Sequence, residues 1–209
     1  STLYVDNCIP HFTVADSCQT VSTSDWMPYE WSINNVAHEE VMNMALAYFE
    51  AGRCNAGYRL FKADVLDGMY LGQCPGNFGQ ISYYDRARGE AYRDFGDDVG
   101  ISARALVNGL FGIRPDALYS RCIIQPSFPD QWDSASIRTP YLSYSFHRVE
   151  GKAVYEIHQH FSQPLQLVLR ISLGEGRFKD IIGDSRDNQT FVVGPFSRTV
   201  TNRKMYGSS

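Results

Sequence analysis

Residues 83–98 concentrate five carboxylates, three arginines and three tyrosines in a glycine-flanked stretch, with Asp85, Glu90, Asp94, Asp97 and Asp98 interleaved with Arg86, Arg88 and Arg93. Carboxyl groups can trade protons with a substrate, and cleavage of a glycosidic bond uses two of them on opposite sides of that bond. Tyrosines add flat apolar faces, and Arg or Asp add hydrogen bonds to hydroxyl groups. A salt-bridged surface loop has the same composition, so residue types alone leave both readings open.

A second chemistry-bearing group lies upstream, in the run Asp25-Trp26-Met27-Pro28-Tyr29-Glu30-Trp31. Trp26, Tyr29 and Trp31 read either as a platform for sugar rings or as core aromatics flanking a helix start. Asp25 and Glu30 read either as acids or as capping and hydrogen-bonding groups. His158 and His160 fall on one face of a strand, where two metal ligands without a third favour a solvated face. The five cysteines are odd in number and widely spaced, with no CxxC and no Cys/His cluster, so neither a zinc site nor a disulfide framework is expected. No cofactor is implied. Asn188-Gln189-Thr190 is a glycosylation sequon in a host that glycosylates.

These groups need elements to position them. Asn35 or Ser32 can cap a helix whose first turns hold Glu39 and Glu40, and residues 41–49 are apolar on nearly every side before Gly52 stops the run. Tyr58, Phe61, Val65 and Met69, at spacings of three and four, predict a second helix and hence a helical hairpin. A third apolar helix is expected over residues 101–111. Residues 72–98 between them are too long and too decorated for a plain connector. Helices sticky on most sides need partners from the sheet or from elsewhere in the protein.

The period changes after Gly112-Ile113-Arg114-Pro115. Leu142, Tyr144 and Phe146 alternate with polar residues, Glu150-Gly151 makes a tight turn, and Ala153, Tyr155, Ile157 and Phe161 share a face. Leu165, Leu167, Leu169, Ile171 and Leu173 follow at strict period two. These predict consecutive antiparallel strands, and residues 122–125, 190–193 and 198–201 add others, a number that suits a sandwich.

A formal charge of −4 leaves no broad basic field, which argues against nucleic acid as a partner. No apolar run reaches the roughly 18–20 residues a membrane span requires. A composition 44% hydrophobic and 20% charged argues against disorder.

Three motifs carry a family resemblance. Gly89-Glu90-Ala91-Tyr92 through Gly100-Ile101-Ser102-Ala103-Arg104-Ala105-Leu106 resembles the late-barrel region of six-hairpin, (α/α)6-barrel glycosidases of the glucoamylase-like and glucosidase/trehalase-like groups, and there the matching glutamate is the general base. Residues 26–35 look like a barrel helix start that faces the sugar. Leu110-Phe111-Gly112-Ile113-Arg114-Pro115-Asp116, with Ile123-Ile124-Gln125-Pro126-Ser127-Phe128-Pro129-Asp130-Gln131-Trp132, resembles the barrel-to-sandwich junction of glycoside phosphorylases and rhamnosidase-like hydrolases. Across residues 25–175 the arrangement is similar to a bacterial family of large six-hairpin proteins of unknown function.

The resemblance implies a mixed α and β fold: the last helices of an (α/α)6 toroid over residues 1–112, then an antiparallel β-sandwich over 113–209, with Trp132 as a packing anchor between them. It implies Glu90 as general base of an inverting hydrolase of poly- or oligosaccharide, with Asp25, Trp26, Tyr29, Trp31 and Arg93 as substrate-binding residues. The general acid then belongs to an N-terminal part ahead of Ser1, so this chain alone is expected to be inactive. A periplasmic or extracellular location goes with that reading. Two alternatives stand beside it: a non-catalytic carbohydrate-binding or structural β-sandwich module, and part of a glycoside phosphorylase, in which phosphate replaces the activated water and no base is needed. Arg86, Arg88 and Arg93 crowd Glu90 more than a neutral sugar site requires, which fits an acidic sugar or a structural ion-pair network.

Overall fold

The computed structural model describes residues 35, 36, 38–66, 70, 81, 82, 96–174 and 176–194. The described chain has mixed helices and sheets, with two four-stranded, mostly antiparallel sheets. It divides into two compact units.

The first unit holds the helices. A short strand β1 (Asn35–Val36) leads into helix α1 (His38–Glu50), whose first turn carries Glu39 and Glu40, the charges that a helix N-terminus favours. Helix α2 (Cys54–Val65) follows, a second short strand β2 (Ile81–Ser82) pairs with β1, and helix α3 (Gly96–Arg104) continues through residues 105–110 in the wider π geometry. Gly52 N–H donates to the Phe49 carbonyl and Arg53 N–H to the Tyr48 carbonyl, the paired bonds that close a helix on a left-handed glycine. Val41, Met42, Ala45, Leu46 and Phe49 of α1 are buried, and Met42 and Leu46 pack with Ala105, Phe61, Val65 and Ile101. Each aliphatic side chain so buried contributes about 1.5–3 kcal/mol.

The sheet of this unit has strand order β3-β4-β8-β9: β3 (Ile113–Asp116), β4 (Arg121–Ile124), β8 (Gln166–Gly174) and β9 (Arg177–Ile182). One face buries Ile113, Cys122, Ile124, Leu167, Leu169 and Ile171. Strand β4 pairs antiparallel with β3 and parallel with β8, in register Cys122↔Leu167 and Ile124↔Leu169. A parallel pair needs a long connection, and the chain spends it on the other sheet.

The second unit is that sheet, in order β10-β7-β6-β5: β5 (Ser134–Arg138), β6 (Leu142–Val149), β7 (Lys152–Gln159) and β10 (Asn188–Val193), all antiparallel. The alternation in the sequence is the alternation of faces: Leu142, Tyr144, Phe146, Ala153, Tyr155, Ile157 and Phe191 are buried. Phe146 stands opposite Tyr155 with ring centroids 5.2 Å apart. Glu150 and Gly151 both take positive φ, 49° and 76°, which a two-residue hairpin turn of this twist requires.

Two expectations need correction. The strand at 165–173 is not the third of a consecutive antiparallel set. It leaves its sequence neighbour β7 and lies between β4 and β9, because period two fixes which side chains are buried but not which strand lies alongside. Strands β5 and β9 were not expected: β5 alternates only between half-buried and exposed positions, β9 has half-buried Phe178 and Ile181 among exposed residues with no strict alternation, and neither has a fully buried residue to mark it. The strand expected at 198–201 lies outside the described residues. No helix among the described residues is long and apolar enough to cross a membrane.

Candidate functional site

Asp25, Trp26, Tyr29, Trp31, Glu90 and Arg93 all lie outside the described residues. What the structure does place is the backbone after the first group, at Asn35, and on either side of the second, at Ser82 and Gly96. The β1–β2 ladder is antiparallel with Asn35 opposite Ser82 and Val36 opposite Ile81. In that register the end of the ladder at which the chain arrives from residue 34 is the end from which it leaves toward residue 83. The two candidate segments therefore meet the ladder at one point. At its other end, the acidic stretch delivers the chain to α3, which starts at Gly96, six residues after Glu90.

Asp64 of α2 is 1% exposed and Ser102 of α3 is 8% exposed, two buried polar side chains on the packed faces of these helices. Placing a carboxylate in such a position is costly unless it is held by partners. Asp64 escaped sequence reasoning although its signal was present: it lies four residues after Leu60 and three after Phe61, on the apolar stripe itself.

The segment from Leu110 to Trp132, which carries the most specific sequence motif, closes the end of the helical hairpin. Gln125, 2% exposed, donates through Nε2 to the carbonyl oxygens of Phe49 at 3.1 Å and Glu50 at 3.2 Å, the free acceptors at the end of α1. The Ser127 hydroxyl donates to the Phe49 carbonyl at 3.2 Å, and the Ser127 N–H to the Leu110 carbonyl at 3.0 Å. Asn55 and Asp130 exchange two bonds: Asn55 Nδ2 donates to Asp130 Oδ2 at 2.8 Å, and Asp130 N–H to Asn55 Oδ1 at 3.0 Å. Trp132 stands edge-on to Tyr58 of α2 at 5.0 Å and stacks on Phe128 at 6.0 Å, while Phe128 meets Phe111 edge-on at 5.3 Å. The indole packs on the helical side, as an anchor residue should.

The remaining reactive types in this region are quiet. Burial pushes the Cys122 thiol up to about 12, and burial likewise raises Cys54, against the lowering effect of a Ser127 hydrogen bond. Neither is an activated nucleophile. Burial lowers the Arg114 guanidinium from its ordinary value, with Glu50 opposing, and its Nε donates to the Asn108 carbonyl at 3.3 Å. In the second unit, His158 donates from Nδ1 to the Asn188 side-chain oxygen. The sequence placed His158 beside His160; the structure gives it an amide partner across the ladder. Among the described residues no three His, Cys, Asp or Glu side chains are grouped to hold a metal. Compared with known proteins, the chain matches no family model and no curated protein.

Proposed function

We propose that this chain is the C-terminal part of an inverting glycoside hydrolase acting on poly- or oligosaccharide, with its helices completing an (α/α)6 toroid and its sheets forming a β-sandwich. In this reading Glu90 is the general base that activates water, and a general acid from the preceding part of the protein protonates the leaving oxygen, the two carboxyls standing roughly 6.5–9.5 Å apart. Asp25, Trp26, Tyr29, Trp31 and Arg93 bind the sugar. A periplasmic or extracellular location belongs to the same proposal.

The observation that supports it is the β1–β2 ladder. It gathers the aromatic segment that ends at residue 34 and the acidic segment that begins at residue 83 to one end of one pair of strands. An aromatic platform and a catalytic carboxylate for the same sugar must share a site, and segments that diverge from opposite ends of a ladder would not serve. The test is Glu90→Gln in the protein together with its N-terminal neighbour. Hydrolysis of the substrate polysaccharide should vanish while the melting temperature stays at the wild-type value; wild-type turnover would remove Glu90 from the reaction.

One observation favours the non-catalytic alternative. The polar contacts of Gln125, Ser127 and of Asn55 with Asp130 in the motif at 110–132 all fasten backbone ends and helix faces. A bracing module needs no more. It predicts that Glu90→Gln leaves every activity of the parent unchanged, so the same variant separates the two.

A further inference from the structure

Tyr141 and Phe161 form a pair of parallel rings at one end of the second unit's sheet, inclined by 6° with centroids 6.1 Å apart. That separation is well beyond the roughly 3.5–4.0 Å between stacked carbons in contact, so the rings are not in full face-to-face contact. Tyr141 is 62% exposed. A large aromatic left so open on a sheet whose other rings are buried calls for a reason.

The backbone beneath the pair is also tied down. Thr139 Oγ1 accepts from the Leu142 N–H at 3.0 Å and donates to the Leu142 carbonyl at 2.7 Å, which fixes the corner on which Tyr141 stands. The His160 N–H donates to the Tyr141 carbonyl at 2.7 Å, tying that corner to the residue beside Phe161. A backbone fixed in this way lowers the entropic cost of binding on it.

The surroundings select the ligand. The stretches that carry the rings, residues 139–147 and 157–164, contain no Lys, Arg, Asp or Glu. Charges stand close by at Arg138, ahead of the corner, and at Arg186 and Asp187, whose carbonyls accept from Gln159. His160, Ser162 and Gln163 are exposed beside the rings and offer neutral hydrogen-bonding groups. Among the described residues, the exposed valines Val149 and Val192 belong toward the opposite end of the β6–β7 ladder, where Val149 pairs with Lys152. A protein partner needs about 800 Å² from each side, and a phosphate-bearing partner needs cations. A small flat apolar surface bordered by neutral hydrogen-bonding groups, with one carboxylate and two guanidinium groups farther out, fits a pyranose ring, whose C–H face lies on the aromatic plane and whose hydroxyls reach the polar border.

We propose that Tyr141 and Phe161 are a binding platform for a neutral sugar unit of a polysaccharide, separate in sequence from the Glu90 segment. The proposal takes its ligand class from the carbohydrate-active reading but does not depend on Glu90 being catalytic. The test is electrophoresis of the intact chain through native gels containing xylan, glucomannan, arabinogalactan or dextran, with polygalacturonate as an acidic comparison. At least one neutral polysaccharide should retard the wild type. Tyr141→Ala and Tyr141→Leu should each weaken that retardation at least tenfold, while Tyr141→Phe stays within twofold and Val149→Ser has no effect. Leucine keeps the apolar bulk without the flat face, so a merely structural role for Tyr141 would spare that variant. Free migration of the wild type through every gel, retardation by polygalacturonate alone, or unchanged retardation of Tyr141→Ala overturns the platform. Because retardation reads binding and Glu90→Gln reads turnover, loss of one with retention of the other shows which of the two readings has failed.

Discussion

The side-chain amide of Gln125 reaches the Phe49 carbonyl across 76 residues of sequence and is itself buried. The end of α1 therefore draws on a residue of the strand segment to complete its hydrogen bonding. Gln125→Leu keeps the volume and removes the donor, leaving the Glu50 carbonyl with one partner fewer and Phe49 with the Gly52 N–H and the Ser127 hydroxyl. The expected loss is about 1–2 kcal/mol, toward the lower part of the range for an unsatisfied buried acceptor because Phe49 keeps other donors. Urea unfolding should show a lower midpoint at unchanged slope.

Gly112 answers the same strand from the other side. Its φ is +69°, and a Cβ built on it would stand 1.8 Å from the Gln125 carbonyl oxygen. Backbone cannot yield as a flexible side chain does, so Gly112→Ala should cost well over the roughly 1–2 kcal/mol that left-handed geometry alone imposes. Gly151 is the control: its φ is +76° with nothing within 4 Å of the added carbon, so Gly151→Ala should show only the conformational cost. Thermal melting of the pair checks the ranking. Equal losses would mean that the clash at Gly112 relaxes freely.

Tyr58 and Trp132 stand edge to face at 5.0 Å, joining α2 to the end of the 110–132 segment. A double-mutant cycle with Tyr58→Leu and Trp132→Leu should give a coupling of about 0.5–1.5 kcal/mol beyond the two separate losses. A coupling of zero would make each ring an independent filler.

The physical reasons for what the sequence did and did not reveal are visible in these same residues. Helix α1 was legible because its run of apolar residues is stopped by Gly52, both local properties, although Glu40, Asn43, Ala47 and Glu50 form an exposed stripe along it. The β6–β7 hairpin was legible because its alternation and its Glu150-Gly151 turn are local too. The position of β8 was not, because the period-two pattern of Leu167 and Leu169 would suit any neighbour, and the choice of β4 depends on a contact more than forty residues away. Strand β9 hid its pattern behind Arg177, Lys179 and Asp180 at an edge where few side chains are buried. At the candidate site, residue types pointed to Glu90 and the tryptophans, but nothing local pairs residue 35 with residue 82; that pairing came from the fold. Asp64 was overlooked because a single polar residue on an apolar stripe reads as noise until its burial is known.

Cys122 has no exposure and its thiol is pushed up to about 12. At pH 8 it carries almost no thiolate, which is the reactive form. Iodoacetamide labelling of the native protein, read by peptide mass spectrometry, should leave Cys122 unmodified, and labelling in urea should modify it fully. Half-buried Cys54, raised by burial to a lesser degree, should react slowly in the native protein.

Arg170 and Asp180 face each other across β8 and β9 with two bonds, Nε to Oδ1 and Nη2 to Oδ2, each 2.8 Å. The Arg170 hydrogen bond holds the Asp180 carboxyl below its ordinary value, and partial desolvation opposes it. A depressed carboxylate stabilises the fold above its unfolded value of about 3.9, and that contribution is lost as pH falls through the lower, folded value. Both side chains are about one-third exposed, 32% for Arg170 and 37% for Asp180, so water screens the pair and the contribution at pH 7 is under about 1 kcal/mol. Asp180→Asn should therefore lower the urea midpoint slightly at pH 7. The gap from wild type should narrow below pH 4 and close in stronger acid, and high salt should shrink it at neutral pH. A gap that persists unchanged to pH 2 would assign the effect of Asp180 to packing along the strand instead of to its charge.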